Sequence, residues 1–488
     1  MDKSNKFYIT NAIPYVNAKP HIGHAMEFVQ SDAIARFHRQ MGEEVLLLCG
    51  ADENALKNVQ AAEQEKITIQ KLVDRNSRLF EDLAQRLNVK FDIFQRGSDT
   101  KHHSSSQKLW ELCFKNGDVY KKQYAGLYCI GCELFYEKAE LNKKGECFEH
   151  PGKKLEEVSE ENYFFKLSKY QKEIEEILKS NKIKIVPENR KNEALSFVKE
   201  GLKDISISRS NKRAKNWGVI VPNDNEQRMY VWFDALNIYQ SGIGFGSAMQ
   251  KDDKLYKKWW PADLHVIGKG ILRFHAIYWP AFLLSAKLSL PKSIFVHEYI
   301  TVNGQKMSKT LGNVIDPIEL INKYGADPLR YYFLRYISPF ADGDFSEGKF
   351  KNVYNSDLAN GLGNLISRVA KLCENSNYTQ MGSESRASEH LISIEEYSEA
   401  IFEFRFNDAL FFVWKKIAAL DKFINDEKPW DLQKVGDKRV KSVLAHSIDQ
   451  IQEIAALLEP FLPETAQKIE EQFKIPEIKS QKPLFPRI

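Results

Sequence analysis

The sequence predicts an α/β protein built on a doubly wound parallel sheet, and three observations carry that prediction. Short β runs alternate with helical apolar spacing at the start of the chain, and the alternation resumes at Leu264 after a Lys/Glu-rich stretch with clustered cysteines. Beyond Phe350 nearly all the periodicity is helical. The expected architecture is therefore a Rossmann-like α/β domain split by an insertion and followed by an α-helical domain.

Each element has a local reason. Phe7-Tyr8-Ile9-Thr10 reads as the first strand, Pro14 and Pro20 punctuate the loop after it, and helical spacing runs from Ala25 to Met41. A second strand from Val45 to Leu48 and an amphipathic helix from Gln70 to Leu87 continue the βαβ pattern. From Cys113 to about Tyr230 the composition changes, which marks the insertion. Leu264-His265-Val266-Ile267-Gly268 then reads as a strand ending at a glycine turn, and the helix after it carries His275 and Trp279. Asp408 to Phe423 and Val443 to Leu458 are helical, and Gly382 to Ser388 reads as a polar loop. The expected divisions fall at residues 1–115, 116–230, 231–290, 291–350, 351–465 and 466–488.

With 488 residues the chain is long enough for two or three domains, each with its own core. A net charge of +4 permits a nucleic-acid partner through local basic patches without arguing for one. No apolar run approaches the roughly 18 residues of a membrane span; Ala276 to Leu290 is broken by Pro280 and Lys287. Met1 to Lys6 does not lead into a secretory segment. The expectation is a cytoplasmic protein with no membrane partner.

His21-Ile22-Gly23-His24 lies at a strand-to-helix junction, where free backbone N–H groups and the helix dipole favour a phosphate. The two imidazoles can donate hydrogen bonds as charge builds at an α-phosphorus, and Gly23 keeps Cβ bulk from between them. Far downstream, Lys306-Met307-Ser308-Lys309 sits in a polar, glycine-flanked loop, where two lysines can neutralise a pyrophosphate leaving group. Alone, each motif reads better as ordinary sequence; together, in this order, they point to adenylate formation from ATP. Cys129 and Cys132 form a C-x2-C knuckle, and Cys147 and His150 add a C-x2-H pair. Four such ligands suit one tetrahedral structural Zn2+, whereas Cys49, Cys113 and Cys373 are scattered.

On these motifs the chain resembles the class I aminoacyl-tRNA synthetases, and more narrowly the methionyl-tRNA synthetase family of bacterial type with a single zinc knuckle. The resemblance runs from the first strand to Trp430. It implies a ligase that activates L-methionine with Mg2+-bound ATP and transfers it to tRNA-Met, initiator and elongator alike. It implies His21, His24, Lys306 and Lys309 as catalytic groups, with Gly23 and Ser308 also at ATP. For methionine it implies Ile13, Tyr15, Asp52, Trp232, Ala235, Leu236, Tyr239, Ile271, His275 and Trp279. Asp52 would pair with the substrate ammonium, although a helix cap would look the same in local sequence. The aromatic residues suit a thioether, and Ile271, His275 and Trp279 recur at i, i+4 and i+8, a stripe that is otherwise core packing.

For the anticodon the family's positions are Asn364 and Arg368, at i and i+4 of one helix, and Trp430 near a helix break; stacking and base-edge hydrogen bonds are how single strands are read. A monomer is expected. Two departures stand out: Gly268-Lys269-Gly270 lacks the acid that related sequences place after Gly-Lys, and Asp52-Glu53-Asn54-Ala55 replaces the common Asp-Glu-His-Gly.

Overall fold

The computed structural model describes residues 6–129, 131, 134–136, 140–147, 152–307, 312–378, 395–474 and 477–488. They form two compact units, one of Met1–Pro20, Val45–Asp82 and Phe91–Val296, the other of His21–Glu44, Leu83–Lys90 and His297–Ile488.

The first unit is built on strands β1 (Lys6–Asn11), β2 (Glu44–Ala51) and β3 (Ile93–Arg96). After them come β4 (Val119–Cys129), β5 (Leu134–Tyr136), β6 (Glu156–Phe165), β7 (Lys184–Val186) and β8 (Ile205–Ser206). β9 (Ser208–Ser210), β10 (Ile220–Val221), β11 (Asp224–Met229), β12 (Leu264–Gly268) and β13 (Ser293–His297) complete the set. The central sheet has the order β3-β2-β1-β12-β13-β7. Its pairings of Leu48 with Ile93, Ile9 with Leu264 and Ile294 with Ile185 are parallel. Successive residues Tyr8, Ile9 and Thr10 are all buried, as are Leu47, Leu48 and Cys49, so both sheet faces are covered, as a parallel sheet requires. The strand order reverses between β1 and β12, and the crevice of such a sheet opens beyond the carboxyl ends of those strands.

Between the two halves, β4 and β6 form an antiparallel ribbon in a four-stranded sheet of order β5-β4-β6-β8, with Val119 opposite Phe165 and Tyr128 opposite Glu156. β10, β11 and β9 form a small third sheet. Though β7 falls in the stretch that reads as insertion, it returns to the edge of the central sheet beside β13. A three-residue strand offers too few alternations to be read from sequence. Helices α2 (Leu56–Glu65), α3 (Ile69–Arg86) and α4 (Thr100–Lys115) follow β2 and β3.

In the second unit, helix Ile22–Gln40 packs with the C-terminal helices through buried charge. Asp32 and Arg330, both fully buried, pair at 2.8 Å. Such a pair is tolerated only when its other donors are satisfied. Arg330 meets that condition by donating to the carbonyls of Phe461 (2.7 Å), Pro460 (3.0 Å) and Leu87 (3.2 Å). Helix Phe406–Glu427 buries Ala409, Leu410, Val413, Ile417, Leu420 and Ile424, the three- and four-residue spacing of one face. The predicted helix from Asp408 to Phe423 lies inside it. The polar stretch Gly382 to Ser388 lies outside the described residues. Among the described residues no helix is long and apolar enough to cross a membrane.

Candidate active site

His21 is the N-cap of helix Ile22–Gln40, with extended backbone (φ −132°), and its side chain takes part in a reciprocal cap. Gly23 N–H donates to His21 Nδ1 at 3.1 Å, and His21 N–H donates to His24 Nδ1 at 3.1 Å. Because both Nδ1 atoms accept, each neutral ring carries its proton on Nε2. The rings stack at 3.8 Å. Desolvation, and then the neighbouring His21, hold the His24 pKa well below its usual value. A Cβ at Gly23 would lie 3.0 Å from the His21 ring, which is the reason for glycine there. Two imidazole donors thus sit at the positive end of a 19-residue helix.

In the same unit, β14 (Ile300–Val302) and β15 (Gln305–Lys306) form a hairpin, with Val302 opposite Gln305. Asn303 (φ 51°) and Gly304 (φ 73°) make its two-residue turn, where both positions need the left-handed region. Asp344, on β16 (Gly343–Phe345), accepts from Gly304 N–H (2.7 Å) and Thr301 Oγ1 (2.6 Å). Lys306 is exposed on this hairpin, with Nζ 5.8 Å from the Tyr299 ring. What reads as a loop in sequence is thus a braced hairpin as far as Lys306. Ser308 and Lys309 lie outside the described residues. Ile22 N–H donates to Ile315 O at 3.2 Å, which ties the histidine cap to the segment after the lysine motif.

In the first unit, the residues expected around methionine gather in an aromatic cluster. Trp232 stacks on Phe274 at 3.6 Å and meets the Tyr15 ring edge-on at 6.2 Å. The Tyr239 hydroxyl lies 2.8 Å from His275 Nε2, and His275 Nδ1 lies 3.0 Å from Ile271 O. A carbonyl only accepts, so His275 carries its proton on Nδ1, and Nε2 accepts a hydrogen bond from the Tyr239 hydroxyl. Burial lowers the His275 pKa to about 4, against a small opposing effect of the Ile271 hydrogen bond. Ala235, Leu236 and Trp279 are buried in the same core, and Ile13 and Ile271 pack at its margin.

The segment bearing Ile271, His275 and Trp279 is not one uniform α-helix. It runs as a 3-10 turn (Lys269–Ile271), a π turn (Phe274–Tyr278) and an α-helix (Trp279–Ser285). The imidazole N–H donates to the Ile271 carbonyl, across the step from the 3-10 turn to the π turn. Phe274 and His265 escaped the sequence reading. Nothing in the spacing separates Phe274 from core. His265 would have been visible only as a histidine on the strand next to β1, where it lies 2.5 Å from Thr10 Oγ1. Trp232 Nε1, Trp279 Nε1 and His265 Nε2 are buried with no hydrogen-bond partner among the described residues.

Asp52 directly follows β2 and bridges to Tyr15; its N–H donates to Pro14 O at 2.9 Å. It does not cap α2, whose N-cap is Ala55 with no side-chain hydrogen bond. The adjacent Glu53 is fully buried. It accepts from Arg96 Nε (2.7 Å), Ser77 Oγ (2.5 Å) and both Ser98 N–H (2.9 Å) and Oγ (2.5 Å). Asn54, in place of the usual histidine, donates to Gly97 O (2.8 Å) and Asp234 Oδ2 (2.6 Å). The bridge uses only its amide N–H groups; Asn54 Oδ1 is buried with no hydrogen-bond partner among the described residues.

Cys129 and Cys147 are both buried, and Cys147 Sγ lies 3.4 Å from the Tyr136 hydroxyl. Gly145 (φ 74°) makes the turn between Asn142 and Glu146 just before Cys147. Cys132 and His150 lie outside the described residues, and among the described residues no three potential ligands come together. In the helical part, Asn364 and Arg368 share helix Asn364–Asn375. Asn364 is exposed, and Arg368 donates to Asp421 (2.7 Å) and Asn425 (3.0 Å). Trp430 follows the left-handed Lys428 (φ 48°), which ends helix Phe406–Glu427 and opens the short helix Pro429–Lys434.

Comparison with known proteins bears on the family to which the chain belongs. A family model described as "tRNA synthetases class I (M)" matches residues 7–370. The methionine–tRNA ligase of Brucella suis biovar 1 (strain 1330) is 40% identical over 489 residues, covering 98% of this chain and 93% of that one. The Thermotoga maritima ligase is 41% identical over 475 residues, covering 95% and 74%. Among solved structures, Mycobacterium tuberculosis methionyl-tRNA synthetase in complex with methionyl-adenylate superposes with a TM-score of 0.91 at 36% identity, covering 99% of this chain and all of that one.

Proposed function

Because the chain belongs to the class I methionyl-tRNA synthetases, we propose that it joins methionine to tRNA-Met in two steps, with the residues described above in definite roles. It is a methionine–tRNA ligase. In the first step the methionine carboxylate attacks the α-phosphorus of ATP and pyrophosphate leaves; in the second the acyl group passes from AMP to the terminal adenosine of tRNA. No covalent enzyme intermediate is needed, so positioning and charge stabilisation carry the chemistry.

His21 and His24 donate from Nε2 to the phosphate oxygens, helped by the helix N-terminus. Gly23 gives the phosphates close approach, and Lys306, Ser308 and Lys309 neutralise the leaving pyrophosphate. Magnesium bound to ATP shields the triphosphate charge. Asp52 pairs with the methionine ammonium, while Tyr15, Trp232, Tyr239, His275 and Trp279, with Ile13, Ala235, Leu236 and Ile271, shape the thioether pocket. The buried indole and imidazole nitrogens without partners support that reading, because such groups in native proteins await a ligand or water.

Cys129, Cys132, Cys147 and His150 would hold one structural zinc, which when bound pins the tip of the β4–β5 hairpin. Asn364, Arg368 and Trp430 read the anticodon; Arg368 is already oriented by Asp421 and Asn425, and its Nε has no partner among the described residues. All of these groups come from one chain, so a monomer suffices, and it works in the cytoplasm.

The observation that carries the catalytic reading is the reciprocal cap that fixes both imidazoles as Nε2–H donors. The test is charging of purified initiator and elongator tRNA-Met with labelled methionine. Both should be charged, and an enzyme that forms adenylate but charges neither would refute the tRNA half of the proposal.

A further inference from the structure

Lys57, the second residue of α2, is placed where a cation should be unwelcome. The N-terminal turn of a helix carries the positive end of its dipole, and no acidic residue stands in that turn to offset it. Two contacts among the described residues hold it there. Lys57 Nζ donates to the backbone carbonyl of Gly131, between the two cysteines of the knuckle, at 3.1 Å. The same ammonium lies 3.2 Å from the centre of the Tyr15 ring, over its face, while Trp232 meets that ring edge-on. The next residue, Asn58, donates to the Asp52 carbonyl at 2.9 Å, and Asp52 is bridged to Tyr15. The first turn of α2 thus touches the methionine wall twice and the cysteine knuckle once.

We propose that Lys57 is a positioning residue for methionine: it clamps the Tyr15 ring through its π face and sets that ring relative to the Gly131 turn. An ammonium over a ring face is attracted by the ring quadrupole, and a part-buried lysine with a second fixed acceptor has little freedom to leave. The inference rests on the reading of Tyr15 as part of the methionine pocket. Its consequence is that the hairpin turn at Gly131 and the substrate wall at Tyr15 hold one another's position through a single side chain.

The test is a double-mutant cycle in the full-length enzyme, read by methionine-dependent pyrophosphate exchange. Lys57→Met keeps the stem and removes the charge; it should raise the methionine KM about three- to tenfold, with kcat and the ATP KM within about twofold. Lys57→Arg, which keeps cation and donor, should recover most of that loss. Tyr15→Ala should raise the methionine KM, and the double variant Tyr15→Ala with Lys57→Met should be no worse than Tyr15→Ala alone. An unchanged methionine KM in Lys57→Met beside a raised one in Tyr15→Ala would overturn the inference and leave the pocket standing. Additive effects, or loss confined to kcat with both KM values unchanged, would also overturn it, since Lys57 would then act elsewhere or only on the folded fraction. An unchanged methionine KM in Tyr15→Ala would instead remove the pocket reading beneath it.

Discussion

Two imidazoles that cap a helix with their own Nδ1 atoms must carry their protons on Nε2. Substitution can separate the two jobs. In His24→Asn the amide oxygen can replace Nδ1 as cap acceptor, but the Nε2 donor is gone. Thermal stability should hold within a few degrees, while pyrophosphate exchange should fall about 100-fold in kcat, the cost of losing one preorganised donor. A stopped-flow or steady-state exchange assay checks it; a large fall in melting temperature instead would mean that His24 serves the fold.

His275 gives a second residue-scale prediction. Its folded pKa is lowered to about 4, so between the ordinary value of about 6.5 and 4 the unfolded chain binds a proton that the folded site refuses. Stability therefore falls as pH drops through that window, by up to about 3 kcal/mol from this group. Urea unfolding of wild type and His275→Gln across pH 7 to 4.5 should show the steeper loss in wild type. The sequence identified His275 but not its tautomer, because that depends on an Ile271 carbonyl and a Tyr239 hydroxyl 36 residues upstream. Asp52 could not be separated from a helix cap until the N-cap proved to be Ala55.

At the scale of elements, short apolar runs set between helical stretches were enough to place the strands that flank the site. β12 spans the predicted Leu264 to Gly268, and the predicted runs at Phe7 and Val45 lie inside β1 and β2. What sequence could not show is how elements are bolted together. His297, the first residue of the C-terminal part of the second unit, is buried and 2.7 Å from Glu27 of the same unit, one turn beyond His24. Burial alone would lower the His297 pKa, but the hydrogen bond and charge of Glu27 outweigh it and raise the value. For a raised histidine, the stabilisation is complete below about pH 6.5 and is lost as pH climbs through the folded value. Glu27→Gln should therefore cost several degrees of melting temperature at pH 6, and the two proteins should converge near pH 9. A gap that is the same at both pH values would mean that the pair contributes no charge interaction. The π turn at Phe274–Tyr278 was illegible for a different reason: a single turn of altered winding leaves no mark in the apolar spacing.

Across the whole molecule, fold class followed from the order of patterns: βαβ, then a cysteine-bearing insertion, then β12, then helices. The parallel sheet and the C-terminal helices have that order. The return of β7 to the central sheet did not follow, since a three-residue segment carries its information in its partner, β13. Because Trp430 is proposed to meet tRNA and the aromatic cluster to meet methionine, substrate activation and tRNA reading should separate under mutation. Trp430→Ala should lower tRNA charging at least tenfold, in line with about 1–3 kcal/mol for a stacked base, and leave exchange unchanged; equal losses would assign Trp430 to the fold. Metal analysis of the purified chain should return one zinc.

The most direct measurement is amino-acid-dependent ATP–pyrophosphate exchange with the intact chain. Methionine should drive exchange, homocysteine weakly, because a pocket discriminates a methylene by only about 1–3 kcal/mol, and isoleucine, valine and cysteine not at all. Exchange driven by one of those three and not by methionine would contradict the account.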